Sequence, residues 1–241
     1  MTTTDSYASA RSERTIFASK KPILKAFWSV YDLWVMSVAS PHLWGCPVDR
    51  ILGLYNQYAS SDHLEAGVGT GYFLDHCTFP VPDPSITLLD VSREAIDMSL
   101  ERLRRYRVTG LEASLLEPLP VSEPRFGSVG MNYVLHCIPG NLHDKMDAVL
   151  TNLLPCMREG GVLFGTTVLG KGVEHNAVGA PLVATLQKNK IFRNQEDDLA
   201  GLEQALRRHV SDYSVELVGR TGLFIARKPQ KTDKPVTTPS A

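Results

Sequence analysis

One acid and three glycines carry the most legible chemistry of this 241-residue chain: Glu65, Gly67, Gly69 and Gly71, within the run His63-Leu64-Glu65-Ala66-Gly67-Val68-Gly69-Thr70-Gly71-Tyr72-Phe73-Leu74. An apolar stretch stops in a glycine turn and a second apolar stretch begins a helix, which is the layout of a nucleotide-type site at a strand's carboxyl end. Glycine reaches positive φ without steric cost, so the backbone can turn sharply and approach a ligand closely. A second acid, Asp90, ends the apolar run Ser85-Ile86-Thr87-Leu88-Leu89-Asp90. It stands roughly twenty residues beyond the glycines, where such folds place a ribose-binding carboxylate.

The dinucleotide fingerprint G-x-G-x-x-G needs glycine where this chain has Tyr72. Glycines at alternate positions behind an acid instead resemble the E/D-x-G-x-G-x-G loop of class I S-adenosylmethionine-dependent methyltransferases, in their small-molecule branch. The resemblance covers residues 60–228 and rests on the glycine loop, Asp90, the third and fourth strand segments and the turn Arg158-Glu159-Gly160-Gly161-Val162. It implies S-adenosylmethionine as cofactor, held by Glu65, Gly67, Gly69 and Gly71, by Asp90 on the ribose hydroxyls, by Val91 against the adenine, and by Ser114, Leu115 and Asn132. Tyr31, in Val30-Tyr31-Asp32, resembles the cofactor-touching tyrosine of the relatives' N-terminal helices; a packing tyrosine is the other reading.

The chain departs from that pattern in two places. In Ala113-Ser114-Leu115-Leu116-Glu117-Pro118-Leu119-Pro120, serine stands where relatives carry the aspartate that binds the adenine amine. An uncharged acceptor there weakens the hold on adenine by ~1 kcal/mol. In Arg125-Phe126-Gly127, glycine follows the phenylalanine where relatives commonly have aspartate, a position that is chiefly structural.

The fourth strand's end, Asn132-Tyr133-Val134-Leu135-His136-Cys137-Ile138-Pro139, discriminates among acceptors. Relatives that methylate nucleic-acid or glutamine amino groups carry Asn/Asp-Pro-Pro-aromatic there, and this chain does not. Gly165-Thr166-Thr167 offers no acids of the kind metal-dependent catechol methylators use, so no metal is expected. An oxygen acceptor must lose a proton, and histidine is the natural base near neutral pH. His136 is the first candidate by its place beside the methyl, followed by His143 and His175; Cys137 reads as packing. The expected activity is methylation of a small metabolite at oxygen, as in secondary metabolism. Nitrogen or carbon acceptors stay open, as does a protein of this fold that binds the cofactor without transferring a methyl.

The elements that must position these groups follow from periodicity. Strands are expected near 62–66, 85–90, 111–115, 126–135 and 161–169 with helices between, hence a parallel sheet. Ser92 caps a helix with Ile96, Leu100 and Leu103 inward. Asn141 and Asp144 open another, ended by Glu159-Gly160-Gly161. Residues 170–195 read as irregular, Asp197–Val210 as a helix, and 214–218 with 222–226 as an antiparallel hairpin. The fold expected is an α/β doubly wound, mostly parallel seven-stranded sheet ending in that hairpin. An aromatic helical cover at 15–60, with Phe27, Trp28, Trp34 and Trp44, precedes the core at 61–228; residues 1–14 and 229–241 read as disordered ends.

A net charge of −1, from 25 basic and 26 acidic residues, supplies no field to draw in a nucleic-acid backbone. The cluster Arg102-Leu103-Arg104-Arg105-Tyr106-Arg107 reads as a solvated helix face. Cys46, Cys77, Cys137 and Cys156 show no C-x-x-C pairing, so free thiols in a reducing, cytoplasmic setting fit, with neither membrane nor nucleic acid as partner. Oligomeric state is open.

Overall fold

The computed structural model describes residue 30 and residues 32–230. Tyr31 and the expected disordered ends, apart from residues 229–230, lie outside the described residues. Seven strands form one sheet: β1 (Asp62–Ala66), β2 (Ser85–Asp90), β3 (Arg107–Glu112), β4 (Phe126–Asn132), β5 (Met157–Val168), β6 (Asp212–Val218) and β7 (Thr221–Arg227). Their order is β3-β2-β1-β4-β5-β7-β6. The first five strands pair in parallel, and β7 enters antiparallel between β5 and β6. The order reverses between β1 and β4, and a crevice opens beyond the carboxyl ends of strands at such a point.

Helices cover both faces. On one lie α1 (Val48–Tyr58), the short α2 (Tyr72–His76) and α3 (Arg93–Arg102), whose Ile51, Tyr55, Leu74 and Ile96 pack with Ile86, Leu88 and Phe164 of the strands. On the other lie α4 (Leu142–Leu153) and α6 (Leu199–His209), whose Met146, Val149, Leu150, Leu202 and Leu206 pack with Leu64, Val129 and Leu163. The capping chemistry read from the sequence is in place. Ser92 accepts from the Ala95 amide, Asn141 from that of Asp144 and Asp198 from that of Gly201, each filling an orphan donor of a first turn.

Several boundaries differ from expectation. The third strand is residues 107–112, not 111–115; as a half-exposed edge strand it lacks the continuous apolar run that marks its neighbours. β4 stops at Asn132 because Tyr133 takes φ 56°, and a 3-10 turn over Leu135–Cys137 follows. Glu159-Gly160-Gly161 does not end a helix. α4 gives way at Leu153 to a 3-10 turn, and the glycines lie inside β5, where the register against β4 shifts. Residues 170–195 are not wholly irregular, since α5 (Gly179–Lys188) runs through them. Pro181 masked it, yet proline in a first turn removes only a donor without an intrahelical partner.

Above the strand ends sits the described part of the cover, a π-helical segment at Val35–Leu43 containing Pro41. Its Val35, Ala39 and Leu43 pack with Trp44, Val168, Val183 and Phe192, so the cover, α5 and the end of β5 share one apolar cluster. Wide π turns in place of α turns are rare and recur at functional sites.

Gly67 shows why the turn after β1 needs glycine. It has φ +75°, and a Cβ there would lie 2.2 Å from Cγ2 of Val134. Gly67→Ala is expected to cost about 2–4 kcal/mol, summing the left-handed penalty and overpacking. Adding Val134→Ala should recover the overpacking part and leave the backbone part; equal urea midpoints for the single and double variants would remove the contact from the explanation.

Candidate active site

The glycine loop is tied down from both flanks. The Gly67 amide donates to the Leu89 carbonyl at 2.7 Å, and the Gly71 amide donates to that of Val68 at 2.9 Å. From α3, Ser99 Oγ donates to the Gly69 carbonyl at 3.3 Å. A Cβ on Gly69, at φ +54°, would meet nothing within 4 Å, so the loop's middle faces open space. Next to it Asp90 Oδ1 accepts from the Ser92 amide at 2.9 Å. Burial pushes the Asp90 carboxyl up from its ordinary range, against the pull of the Ser92, Gly69, Val68 and Val91 amides. Val91 is 60% exposed, an apolar surface presented beside that carboxylate.

Ser114 Oγ accepts from the Leu116 amide at 3.2 Å, which uses one of its lone pairs and leaves another. The Leu115 side chain is in the core, and its carbonyl accepts from Asn152, so Leu115 offers a ligand main chain rather than side chain. A cavity of about 110 Å³ runs from Glu65 along residues 67–74 to Asn132 and Tyr133, roofed by Asp32, Val35 and Met36.

Glu65 is 4% exposed, and both its oxygens are engaged. Oε1 accepts from the Tyr55 hydroxyl at 2.5 Å, and Oε2 lies 3.1 Å from Nε2 of His63. Asn132 Nδ2 donates to the Tyr55 oxygen at 2.8 Å, and Asn132 Oδ1 accepts from Thr166 at 3.1 Å. Asn132 is therefore held by the same network as Glu65. Sequence reasoning missed Tyr55 and His63. The signal was there in His63, which shares a strand face with Glu65 and is polar where the strand is otherwise apolar.

Arg102 is not part of a solvated face. Its guanidinium donates to the Thr70 carbonyl at 2.8 Å and to Asp32 Oδ2 at 2.7 Å, while Thr70 Oγ1 donates to Asp32 Oδ1 at 2.6 Å. This closed ring latches the cover onto the glycine loop. Arg105 pairs with Asp75 of α2, while Arg104, in the turn after α3, is exposed and bonds to Glu101.

His136, the first candidate for the base, lies in the 3-10 turn that follows β4. It is 3% exposed, its Nδ1 accepts from the Val168 amide at 3.3 Å, and its ring lies 4.3 Å from that of Phe192. With Nδ1 so used, the ring proton sits on Nε2 and no lone pair is left to take another. Burial, then the Lys145 charge, lower its pKa from 6.5 to about 3. The residue is a wall. Its ring, with those of Trp44, Tyr133 and Phe192, forms one aromatic group at the ends of β4 and β5. His143 is bound to Asp144 at the start of α4, and His175 donates from Nε2 to the Leu169 carbonyl, with burial lowering its pKa.

Behind the rings, Lys145 Nζ lies 2.7 Å from Asp197 Oδ2, with side chains 1% and 0% exposed. The ammonium also donates to the carbonyls of Ile138 and, at 3.4 Å, Arg193. Burial pushes Asp197 up to about 6 and Lys145 down, so the pair is costly to bury. It fastens the strap of residues 189–198, which carries Phe192, onto α4.

The two buried groups pull stability in opposite directions with pH. Native His136 refuses a proton that the unfolded chain accepts below about 6.5, so its contribution is full above that pH and is lost toward pH 3. Asp197 does the reverse, taking a proton near pH 6 that the unfolded chain takes near 3.8. His136→Asn, which keeps an acceptor for the Val168 amide, should therefore lose about 2–3 kcal/mol less stability than the parent between pH 7.5 and 4.5. Parallel urea curves for the two proteins at both pH values would show that His136 does not titrate as placed.

A family model described as "Methyltransferase domain" matches residues 64–163. A demethylluteothin O-methyltransferase of Streptomyces thioluteus is 40% identical over 202 residues, 84% of this chain and 87% of that protein. A physcion biosynthesis cluster O-methyltransferase of Aspergillus chevalieri is 34% identical over 203 residues, covering 83% and 90%. Among solved structures, "DhpI-SAH complex structure" superposes with a TM-score of 0.58 at 20% identity, over 86% of this chain and 93% of that one, a likeness of fold. The cradle suits the methyl donor these proteins share. The open middle of the loop at Gly69, the Asp90 carboxylate and the exposed Val91 stand together at the crevice, as a ribose and its base require. The chain belongs to the class I S-adenosylmethionine-dependent methyltransferases.

Proposed function

We propose that the protein methylates an oxygen of a small secondary metabolite in the cytoplasm, with Asp90, Ser114 and the glycine loop holding the donor. The observation that carries the reading is the position of the aromatic group, which meets the donor's cavity at Tyr133. The apolar surroundings of those rings, Val35, Leu43, Val168 and Val183, suit a flat, weakly polar acceptor and not a charged backbone. The likeness to O-methyltransferases over most of both chains supports oxygen as the acceptor atom. No helix among the described residues is long and apolar enough to cross a membrane.

The sulfonium of the donor supplies an electrophilic methyl. What this chain does is align and enclose. Asp90 and the loop amides fix one end of the donor, and the latch of Arg102, Asp32 and Thr70 closes the cover over it. The rings exclude water from the side where an acceptor enters. His136, neutral and with its proton on Nε2, contributes shape and one polar edge but takes no proton.

Two measurements test this. Asp90→Ala should weaken S-adenosylhomocysteine at least tenfold, and Ser114→Asp should tighten it about fivefold, by restoring a charged acceptor worth ~1 kcal/mol. An unchanged affinity in both variants would remove these residues from the cofactor site. For the acceptor, incubation with methyl-labelled donor and an extract of producing cells should move label into a small molecule, with the new methyl on oxygen by carbon shift. A labelled methyl on nitrogen or carbon would overturn the oxygen reading, and no transfer at all would favour a protein that binds the donor only.

A further inference from the structure

Beneath the glycine loop the hydrogen bonds can be counted to completion. Ser60 Oγ gives its one proton to the Asp62 carbonyl at 2.9 Å, so Ser128 Oγ must be the donor in its 2.9 Å contact with Ser60 Oγ. Ser128 then has no proton left for His63. Its Oγ accepts from the Ser60 amide at 2.8 Å and lies 2.8 Å from His63 Nδ1, so Nδ1 must donate. On the other side of the ring, His63 Nε2 faces Glu65 Oε2 at 3.1 Å. Glu65 already receives the Tyr55 proton on Oε1, since the Tyr55 oxygen is itself an acceptor from the Asn132 amide. The proton between Glu65 Oε2 and His63 Nε2 belongs to one of the two, and with Glu65 ionised, so that it only accepts, Nε2 donates as well.

We propose that His63 is held as an imidazolium behind Glu65, and that binding of the cationic methyl donor releases its extra proton. His63 is thus a positioning and charge-balancing residue for the donor; it lies behind Glu65 and acts through it. The inference rests on the methyl-donor reading of the site.

The sheet is cut to fit this pair. The parallel register sets His63 opposite Ser128 and Glu65 opposite Gly130. A Cβ on Gly130 would lie 2.5 Å from Glu65 Oε2 and 3.2 Å from His63 Nε2. A Cβ on Gly127 would lie 2.8 Å from Ser60 Oγ. Both glycines of β4 therefore vacate space that the relay from Ser60 to Glu65 fills. His63 is fully buried, so in the closed structure its ring meets only this relay and the apolar residues around it.

The groups that face His63 leave its proton as the mobile one. From α1 comes Tyr55, whose hydroxyl burial and Glu65 push far up. On the Glu65 side, at the end of α2, is Cys77, which burial and then the Glu65 charge raise to about 12. From β4 comes Ser128; Phe79 and Phe164 complete the surroundings and carry no charge. Glu65 lines the cavity on one side and meets His63 on the other. A cation arriving on the cavity side supplies the compensation that the imidazolium supplied, so proton and donor compete.

Nitrogen spectra of histidine-labelled protein without ligand test the resting state: at pH 7, His63, assigned by its loss in His63→Gln, should show both ring nitrogens protonated. A singly protonated ring overturns the proposal whatever the protein binds. Calorimetry in buffers of different ionisation enthalpy tests the coupling. S-adenosylmethionine should release a fraction of a proton, and S-adenosylhomocysteine, without the sulfonium charge, less. Parent affinity for the donor should rise several-fold from pH 6 to 8, against a ceiling of about tenfold per pH unit for one proton. His63→Gln, or Ser128→Ala should the first not fold, should flatten that rise; an unaltered rise in a folded variant overturns the coupling. If neither ligand binds the parent, the methyl-donor reading falls, and the nitrogen spectra still decide the resting state.

Discussion

The reversal of strand order between β1 and β4 is the constraint from which the rest of the site follows. Chain leaving β1 is carried to one side and chain leaving β4 to the other, and the space between them is the cavity. The two strands also pair directly, so anything projecting from one at the level of Glu65 meets the other at Gly130. The glycine turn is the backbone's answer at the surface of that crevice. Gly67 bends at positive φ because Val134 fills the room a side chain would need, and Tyr133 bends at positive φ on the opposite bank. Positive φ at a tyrosine costs of order 1–3 kcal/mol, and its hydroxyl bond to Ser40 of the cover at 2.7 Å helps hold it there.

Carboxylates around the cavity each receive a different kind of partner, and the kinds suit different tasks. Asp32 is paired with a guanidinium, which is always charged and forks, and this pair joins two elements. Asp90 faces main-chain amides, which hold a carboxylate in place yet leave lone pairs for a ligand. Glu65 meets a phenol and an imidazole, groups whose protons can be redistributed. The pair of Lys145 and Asp197 belongs to a different class. Neither touches the cavity, and burial strains both charges; apolar residues of similar volume would commonly be no less stable. What such residues would lack is direction, because the ammonium ties Ile138, Arg193 and Asp197 to one point.

The sequence showed the sheet, the glycine turn, Asp90 and the terminal hairpin, because each is written in local apolar periods and in residues whose backbone needs are special. Partnerships across the fold were not written there. Arg102 looked like one charge among several on an exposed helix end, and only the approach of Asp32, seventy positions away, makes it a latch. His136 looked poised for proton transfer from its place at a strand's end. The depth of burial and the proximity of Lys145, which no spacing reveals, lower its affinity for a proton. α5 was hidden for a local reason, glycine and proline in its first turn, although Leu182, Val183 and Leu186 carry its helical period.

If His136 takes no proton, as proposed, the acceptor side must work by other means. The methyl donor is already reactive, so a site can succeed by approach and dryness alone when the acceptor oxygen is easily ionised. The geometry of the cover and the strap fits that division of work. The π-helical segment brings Val35 and Ala39 down onto Trp44, the strap brings Phe192 against His136, and the rings meet over the ends of β4 and β5. Each of these elements is fastened to the core by a polar clamp that stays off the apolar surface: the cover by Asp32 with Arg102, the strap by Asp197 with Lys145. Directional, charged bonds set where the walls stand, and the walls themselves remain uncharged. For the flat, weakly polar acceptor proposed, such walls require no stripping of water from an ion, so the energy of its burial can go into alignment with the methyl group.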